Sequence, residues 1–526
     1  MTGTTAPHPQ ADDLLVMTVP GVLRAHAREH PDQVYLWCGG VEYTYGQLWE
    51  LSGRVATWLA GRGLRRGDRV TTWLPNDIEW IVAAFALGRL GVVNVLTNSR
   101  FRAREVAALV HRSGSRGLVT LRAPGEQLGG ACEWTVTTGG TDRTWDDVVG
   151  TEIDTAAIES AAAGSRGSDP LYLIYTSGTT GLSKGSMTRH GPALKNAFNS
   201  GERMGFTDTD RLLCYLPMSH CFGAVNALLN TLTHGARLDL TADFEPKSVL
   251  AAIAERGITA IFGVPTHYAM LAEAHRAGGG ADELGTLTKG CIAGAAVSDE
   301  LVESLEVELA ISGLTHAYGM TESSAIISQT AWDEPLPARL QTSGAAMPDT
   351  EVRLVDQQTG AQARPGEPGV IQIRGFHVHA GYLGLAEDPS AREDGWWDTG
   401  DIASADERGR LSILGRTKDM YKTSGFNVYP AEVEAYLVTH PAIAEVAVVG
   451  VPHPRKAETG TAFVIAAPGS TVDPSEIVAF ARDGLAGYKV PEHVLVVDDF
   501  PRSSATLKIQ KHLLRVDAQK ILGISQ

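Results

Sequence analysis

The chain has 526 residues, 43% of them hydrophobic and 20% charged, a globular composition too long for one core, so roughly two to four domains or subdomains are expected. Its formal charge of −16, from 45 basic and 61 acidic side chains, excludes the basic face of a nucleic-acid binder and fits an enzyme that holds an anionic ligand by local loops. Five scattered cysteines, Cys38, Cys132, Cys214, Cys221 and Cys291, form no CxxC pair, which argues against a disulfide framework or zinc site and for a reducing compartment.

The first residues, Met1 to Asp13, are polar and acidic and lack the basic-then-apolar order of a signal peptide. The longest apolar stretch, Trp80 to Leu87, is too short to span a membrane, and Ile521 to Gln526 carry no lipidation or peroxisomal signal. A cytoplasmic protein without membrane insertion is expected.

From Val16 to Val119 helical and strand patterns alternate. Asn76-Asp-Ile-Glu79 resembles a capping box opening a helix over Trp80–Leu90, with Gly91 closing it before a strand at Val92–Leu96. Residues 121–169, rich in Gly, Thr, Ser and Ala, read as an irregular excursion. The apolar run Leu171–Tyr175 reads as a buried strand, and alternation through 210–330 predicts a parallel sheet between helices. Short strands at Glu351–Val355, Val370–Arg374 and Leu411–Leu414 predict a small β-rich subdomain. After Gly415 the spacing predicts a last unit of helix, strand, strand, helix and basic tail: Pro430–Thr439, Ala444–Val449, Thr461–Ile465 and Pro474–Leu485 come first.

Five clusters carry chemistry. Thr176-Ser-Gly-Thr-Thr-Gly-Leu-Ser-Lys-Gly185 puts three glycines, five hydroxyls and a lysine after the buried strand, where N–H groups, hydroxyls and an ammonium can meet phosphate oxygens. Its glycines, Gly178 and Gly181, and Lys184 are three apart, which is not Walker A spacing. Standing alone, such a loop is as often no more than a turn. Thr315-His-Ala-Tyr-Gly-Met-Thr-Glu322 offers an aromatic face, a hydroxyl and a carboxylate within a few residues. Trp396-Trp-Asp-Thr-Gly-Asp401 places a carboxylate after a turn, where it suits a diol. A charged connector, Gly415-Arg-Thr-Lys-Asp-Met-Tyr-Lys-Thr-Ser-Gly-Phe-Asn-Val-Tyr-Pro430, and a basic tail, Pro501-Arg-Ser-Ser-Ala-Thr-Leu-Lys-Ile-Gln-Lys511, follow. In that tail charge alone marks no single lysine as catalytic.

Taken in order, these five segments resemble the adenylate-forming superfamily of acyl-CoA synthetases, adenylation domains and luciferases, from about Val16 to Arg515. Two positions depart from its pattern: Ser183 stands where proline is usual, and Leu507 where glycine precedes the lysine. The resemblance implies an α/β fold with a large N-terminal domain, about residues 1–415, of two α/β lobes and a β-rich subdomain. A small mobile α+β domain, 416–526, would follow a hinge at Lys418.

It also implies a reaction in two halves: a carboxylate attacks the α-phosphorus of Mg·ATP to give an acyl-adenylate and pyrophosphate, and a thiol, usually that of CoA, then displaces AMP. By matching position, Thr176, Ser177, Gly178, Thr179, Thr180, Gly181 and Lys184 would hold the β- and γ-phosphates, Thr321 the α-phosphate and Glu322 the Mg²⁺. Tyr318 would pack on adenine, Asp401 would accept the ribose hydroxyls and Arg416 would support ribose or phosphate. Lys508 would bridge carboxylate and α-phosphate, with Lys511 the alternative register. Leu216-Pro-Met-Ser-His-Cys-Phe-Gly223 would end in the acyl pocket, lined by His220, Cys221, Phe222, Asn226, Val264, Gly294, Ala295, Ala296 and Ala317. Cys221, where amino-acid-activating relatives often keep an aspartate, argues against an α-amino acid substrate. Two other readings stay open. One is a stand-alone enzyme passing the acyl group to an acyl or peptidyl carrier protein or to an amine; the other is a degenerate binder of nucleotide or acyl-adenylate.

Overall fold

The computed structural model describes residues 11–122, 128, 131–139, 144–176, 184–278, 284–295, 297, 299–309, 311–357, 359–502 and 509–524. The chain divides into two compact units, Met1–Glu351 with Arg374–Ala391, and Val352–Ile373 with Arg392–Gln526.

Two sheets organise the first unit. One runs in the order Trp134–Thr137, Gly117–Thr120, Arg69–Trp73, Val93–Leu96, Pro170–Thr176 and Lys184–Arg189, parallel until the last strand, which turns back against its neighbour. The other has a parallel centre made of Gly313–Tyr318, Lys289–Ala293, Ala260–Gly263, Arg211–Cys214, Arg237–Leu240 and Val34–Cys38, with antiparallel strands at both edges. The central strands are buried along their length and mostly apolar, with buried polar exceptions such as Asn94 and His316, as expected of parallel sheets covered on both faces. One apolar cluster joins Val70, Leu96 and Ile174 of the first sheet to Leu213, Phe262 and Leu314 of the second through helix residues such as Ile81 and Phe85.

That helix spans Ile78–Arg89, and its cap is Asp77, whose carboxylate accepts from the Ile78 N–H at 2.7 Å. The expected box at Asn76 does not form, because the buried Asn76 amide is used elsewhere. Its Nδ2 donates to the carbonyls of Leu216 and Thr241 at 2.9 and 3.1 Å, and its Oδ1 accepts from the Met218 N–H at 2.9 Å. A side chain with both donor and acceptor is better satisfied clamping a buried loop than capping a helix. Within 121–169 the described residues form regular elements that the composition does not suggest. Trp134-Thr-Val-Thr137 has the aromatic and β-branched character of an edge strand, and helices Trp145–Val149 and Thr155–Ala161 bury Trp145, Val148 and Ile158.

An antiparallel sheet, most of whose residues belong to the second unit, runs Thr350–Val355, Gly369–Gly375, Trp397–Ala405 and Leu411–Arg416. The third of these strands was not expected. The last sheet is built around the long hairpin Ile443–His453 and Ala457–Ala466, joined by Tyr421–Thr423, Phe426–Val428 and His493–Val496. Period-two alternation sends Val448 toward helices Pro430–Leu437 and Pro474–Gly484. The flanking Ala447 and Val449 pack with Leu514 and Ala518 of helix Lys511–Ile521. Among the described residues no helix is long and apolar enough to cross a membrane.

Candidate active site

Strands Pro170–Thr176 and Lys184–Arg189 form a hairpin whose last registered pair is Thr176 and Lys184. The loop members Ser177, Gly178, Thr179, Thr180, Gly181 and Ser183 lie outside the described residues. Both ends of the loop are thereby fixed at a sheet edge. The Thr176 hydroxyl lies 3.4 Å from the Lys184 carbonyl and 3.3 Å from Glu322 Oε1, so the hairpin reaches the second motif.

Glu322 follows the fully buried strand Gly313–Tyr318, in a short 3₁₀ turn over Thr321–Ser323. Gly319 is required there: a Cβ would stand 1.8 Å from the Ala325 carbonyl oxygen. The Met320 N–H is capped by Ser323 Oγ at 3.1 Å, and Ser324 closes the turn with φ at +54°. Tyr318, Thr321 and Glu322 are all buried.

Residues that the sequence reading did not single out complete this corner. Tyr382 donates its hydroxyl to Glu322 Oε1 at 2.9 Å, and Lys184 Nζ stands 5.1 Å from the Tyr382 ring centre. The His379 N–H donates to the Glu322 carbonyl at 2.7 Å. The His379 ring lies between Ser186 Oγ and Asp388 Oδ2, 2.8 Å from each. Burial lowers the His379 pKa against the pull of Asp388. With Asp388 accepting at Nε2, the proton belongs on Nε2, and Nδ1 accepts from Ser186.

The segment Leu216–Gly223 meets the short turn at Thr321, whose hydroxyl lies 3.7 Å from Cys221 Sγ. His220 Nδ1 accepts from the Phe222 N–H at 3.2 Å. Phe222–Ala227 is a π-helical turn, a distortion frequent at functional sites, and Phe222 stacks on Phe262 at 5.9 Å. On that turn Asn226 is fully buried, and among the described residues neither amide atom has a hydrogen-bond partner. An unmet amide of this kind costs about 1–3 kcal/mol. Val264 caps the helix Pro265–Arg276 and donates its N–H to His267 Nδ1 at 3.4 Å. Burial pushes the His267 pKa down to about 4, so its ring is neutral near pH 7. Gly294 and Ala295 are exposed, Ala317 is buried in register with Ala293, and Ala296 lies outside the described residues.

In the second unit Asp401 and Arg416 are registered partners on neighbouring strands, with Arg416 Nε 3.2 Å from Asp401 Oδ1. The Asp401 N–H donates to Thr399 Oγ1 at 3.1 Å, and the Thr417 N–H to the Gly400 carbonyl at 2.9 Å. Lys418 is exposed as a whole, yet partial desolvation of its ammonium, followed by the nearby Arg416, lowers its pKa. Lys508 lies outside the described residues. Lys511 is engaged at 2.6 Å by Glu434.

Residues 23–383 match the family model described as AMP-binding enzyme, and residues 432–506 match AMP-binding enzyme C-terminal domain. The acyl-CoA ligase SID4 of Ajellomyces capsulatus is 34% identical over 516 residues, covering 91% of this chain and 87% of the relative. The ATP-bound crystal structure of MatB from Rhodopseudomonas palustris superposes with a TM-score of 0.88 at 28% identity, covering 96% of this chain and all of that one. The o-succinylbenzoate coenzyme A synthetase MenE of Bacillus subtilis, in complex with ATP and magnesium ion, gives a TM-score of 0.82 at 27% identity over 94% of this chain and 98% of its own. With both family models in order along the sequence and relatives matched over nearly their full length, the chain belongs to the AMP-binding, adenylate-forming enzymes.

Proposed function

We propose that this enzyme is an AMP-forming acid–thiol ligase, which activates a carboxylic acid with ATP and transfers the acyl group to CoA. The observation that carries the reading is the convergence of Thr176, Lys184 and Glu322 at one sheet edge, with Cys221 of the acyl motif against Thr321.

A free carboxylate resists attack because its charge repels nucleophiles and oxide is a poor leaving group. Adenylation replaces that oxide with AMP. Thr176, Ser177, Gly178, Thr179, Thr180, Gly181 and Lys184 hold the β- and γ-phosphates, and Thr321 the α-phosphate. The donor set fits Mg²⁺, which takes few protein ligands and completes its shell with phosphate oxygens and water. Glu322 presents one buried carboxylate beside the hairpin end at Thr176, and among the described residues its hydrogen-bond donors, Tyr382 and Thr176, meet Oε1. When bound, the ion offsets the charge that builds up on the phosphates. Tyr318 packs on adenine. Asp401, oriented by Arg416, accepts the ribose hydroxyls. Lys508 steadies carboxylate and α-phosphate as their charges redistribute.

The acid lies among His220, Cys221, Phe222, Asn226, Val264, Gly294, Ala295, Ala296 and Ala317. The ATP and magnesium complexes of the solved relatives support the nucleotide half of this reading, and the acyl-CoA ligase among the relatives supports CoA as acceptor. For the second half we place the functional boundary between 1–415 and 416–526, with the hinge at Lys418. Lys418→Pro should leave ATP–pyrophosphate exchange intact and slow thioester formation from supplied acyl-adenylate, because proline fixes φ and removes an N–H where the backbone must turn. Unimpaired thioester formation would move the hinge elsewhere.

The deciding experiment is an adenylation panel of small, aliphatic, aryl and hydroxy acids with and without CoA. Exchange with one acid class and thioester only when CoA is added is the expected result. AMP release without a CoA thioester would point to a carrier protein or amine as acceptor, and no exchange with any acid would overturn the enzymatic reading.

A further inference from the structure

Glu322 and Lys184 come from segments far apart in sequence, yet one side chain touches both. Tyr382 donates to Glu322 Oε1 at 2.9 Å and presents its ring 5.1 Å from Lys184 Nζ. Its backbone is registered on the strand that begins at Lys184. Ser186 and Tyr382 form a bridge, the Met187 N–H donates to the Gly381 carbonyl at 3.2 Å, and the Ala380 and Leu383 N–H groups donate to the Met187 and Gly185 carbonyls at 2.9 and 2.8 Å. The Tyr382 ring is also fixed from the side. His379 meets it edge-on at 4.7 Å and is itself held by Ser186 and Asp388. Its neighbours leave Tyr382 little freedom to rotate. In that contact with Glu322 the hydroxyl is the donor, since a carboxylate oxygen accepts.

We propose that Tyr382 is a positioning residue that fixes the Glu322 carboxylate and the Lys184 ammonium relative to each other, presenting metal ligand and phosphate cation as one preset unit. The inference rests on the nucleotide site described above. Among the described residues both hydrogen bonds to the Glu322 carboxylate fall on Oε1, which leaves the lone pairs of Oε2 to face a cation. The ring face holds Lys184 without neutralising it, since an aromatic quadrupole attracts an ammonium but carries no net charge to oppose phosphate binding. Four pieces of chain thus meet: the two hairpin ends, the turn after the strand Gly313–Tyr318, and the run Phe376–Leu383.

The test separates hydroxyl from ring. Tyr382→Phe keeps the ring beside Lys184 and removes the donor to Glu322; Tyr382→Leu removes both. Mn²⁺ binding to the full chain with ATP, read by electron paramagnetic resonance without any acid present, measures the metal half. Calorimetric binding of metal-free ATP measures the phosphate half. Partners of metal ligands typically control affinity about 10–100-fold, so Tyr382→Phe should weaken Mn²⁺ in the ATP complex about 10-fold and leave metal-free ATP unchanged. Tyr382→Leu should weaken both. Unchanged Mn²⁺ affinity in Tyr382→Phe would overturn the inference. So would equal weakening of metal and metal-free ATP in that variant with a falling Tm, the signature of a merely structural tyrosine. If the unaltered protein bound ATP but no Mn²⁺ with it, the assignment of Glu322 would fall first, and this inference with it.

Discussion

Replacing Lys508 with alanine should lower ATP–pyrophosphate exchange by about 10²–10³-fold, the usual effect of removing one preorganised donor to developing charge. Thioester formation from supplied acyl-adenylate and CoA should continue near the unaltered rate. The separation follows from the chemistry. In the first half a carboxylate and a phosphate, both anionic, must approach, and an ammonium between them offsets their repulsion as the new bond forms. In the second half the electrophile is already an uncharged mixed anhydride carbon, and the lysine has no comparable charge to stabilise. Lys511→Ala is the control for register. Its ammonium already pairs with Glu434 at 2.6 Å, and Glu434 also accepts from the Val448 N–H at 2.5 Å, so its loss should lower Tm slightly and leave exchange intact. Equal loss of both half-reactions in Lys508→Ala would refute the assignment. Loss of exchange in Lys511→Ala instead would move it three residues along, past the departure at Leu507.

Thr176, Lys184 and Glu322 were singled out by the sequence, and the structure brings them to one sheet edge. A loop that must approach phosphates needs glycine, hydroxyls and a lysine close together, and Gly319 had to be glycine because a Cβ would strike the Ala325 carbonyl. Tyr382 was invisible for the opposite reason. It acts on Glu322 across 60 residues, and Gly381-Tyr-Leu-Gly384 reads locally as a turn. Only the pairing of Ala380–Leu383 along the strand from Lys184 brings it in.

The same contrast runs through the fold. Periodicity gave the buried strands of the parallel sheets, and the two helices and two strands expected in the last unit fell within a few residues of Pro430–Leu437, Ile443–His453, Ala457–Ala466 and Pro474–Gly484. The short strands Tyr421–Thr423, Phe426–Val428 and His493–Val496 and the helix Lys511–Ile521 were not expected. Trp397–Ala405 was missed because its Asp-Thr-Gly-Asp stretch carries turn chemistry, and Gly400 does sit at φ +72°, yet the residues on both sides are paired in the sheet. Asn76 was misjudged because cap preference is a local statistic. The three hydrogen bonds that claim its amide come from Leu216, Met218 and Thr241. Local chemistry is readable in a sequence when its partner is the backbone nearby or a ligand, and hidden when its partner is a distant side chain.

Glu322→Gln should lower exchange at saturating Mg²⁺ by about 10²–10³-fold, since a metal's stabilisation of phosphoryl charge is worth several kcal/mol and each ~1.4 kcal/mol is tenfold. The substitution is chosen to separate charge from architecture. Glutamine keeps a carbonyl oxygen that accepts from Tyr382 and Thr176, so the corner where the hairpin meets the 3₁₀ turn keeps its hydrogen bonds and Tm should change little. What it loses is the negative charge that a small divalent cation requires. A structural role alone would instead show as a fall in Tm with exchange declining in proportion, and with no change in the Mg²⁺ concentration needed for half-maximal rate. Coupling to the neighbour sharpens the result. If Tyr382 acts through this carboxylate, then Tyr382→Phe, worth about 10-fold in metal affinity on its own, should add almost nothing in a Glu322→Gln background. Two groups that touch and serve one ligand are non-additive, whereas independent sites would multiply. A double variant whose Mn²⁺ and exchange losses equal the product of the single losses would show that tyrosine and glutamate act separately, and would leave the carboxylate as the metal's ligand without a preset partner.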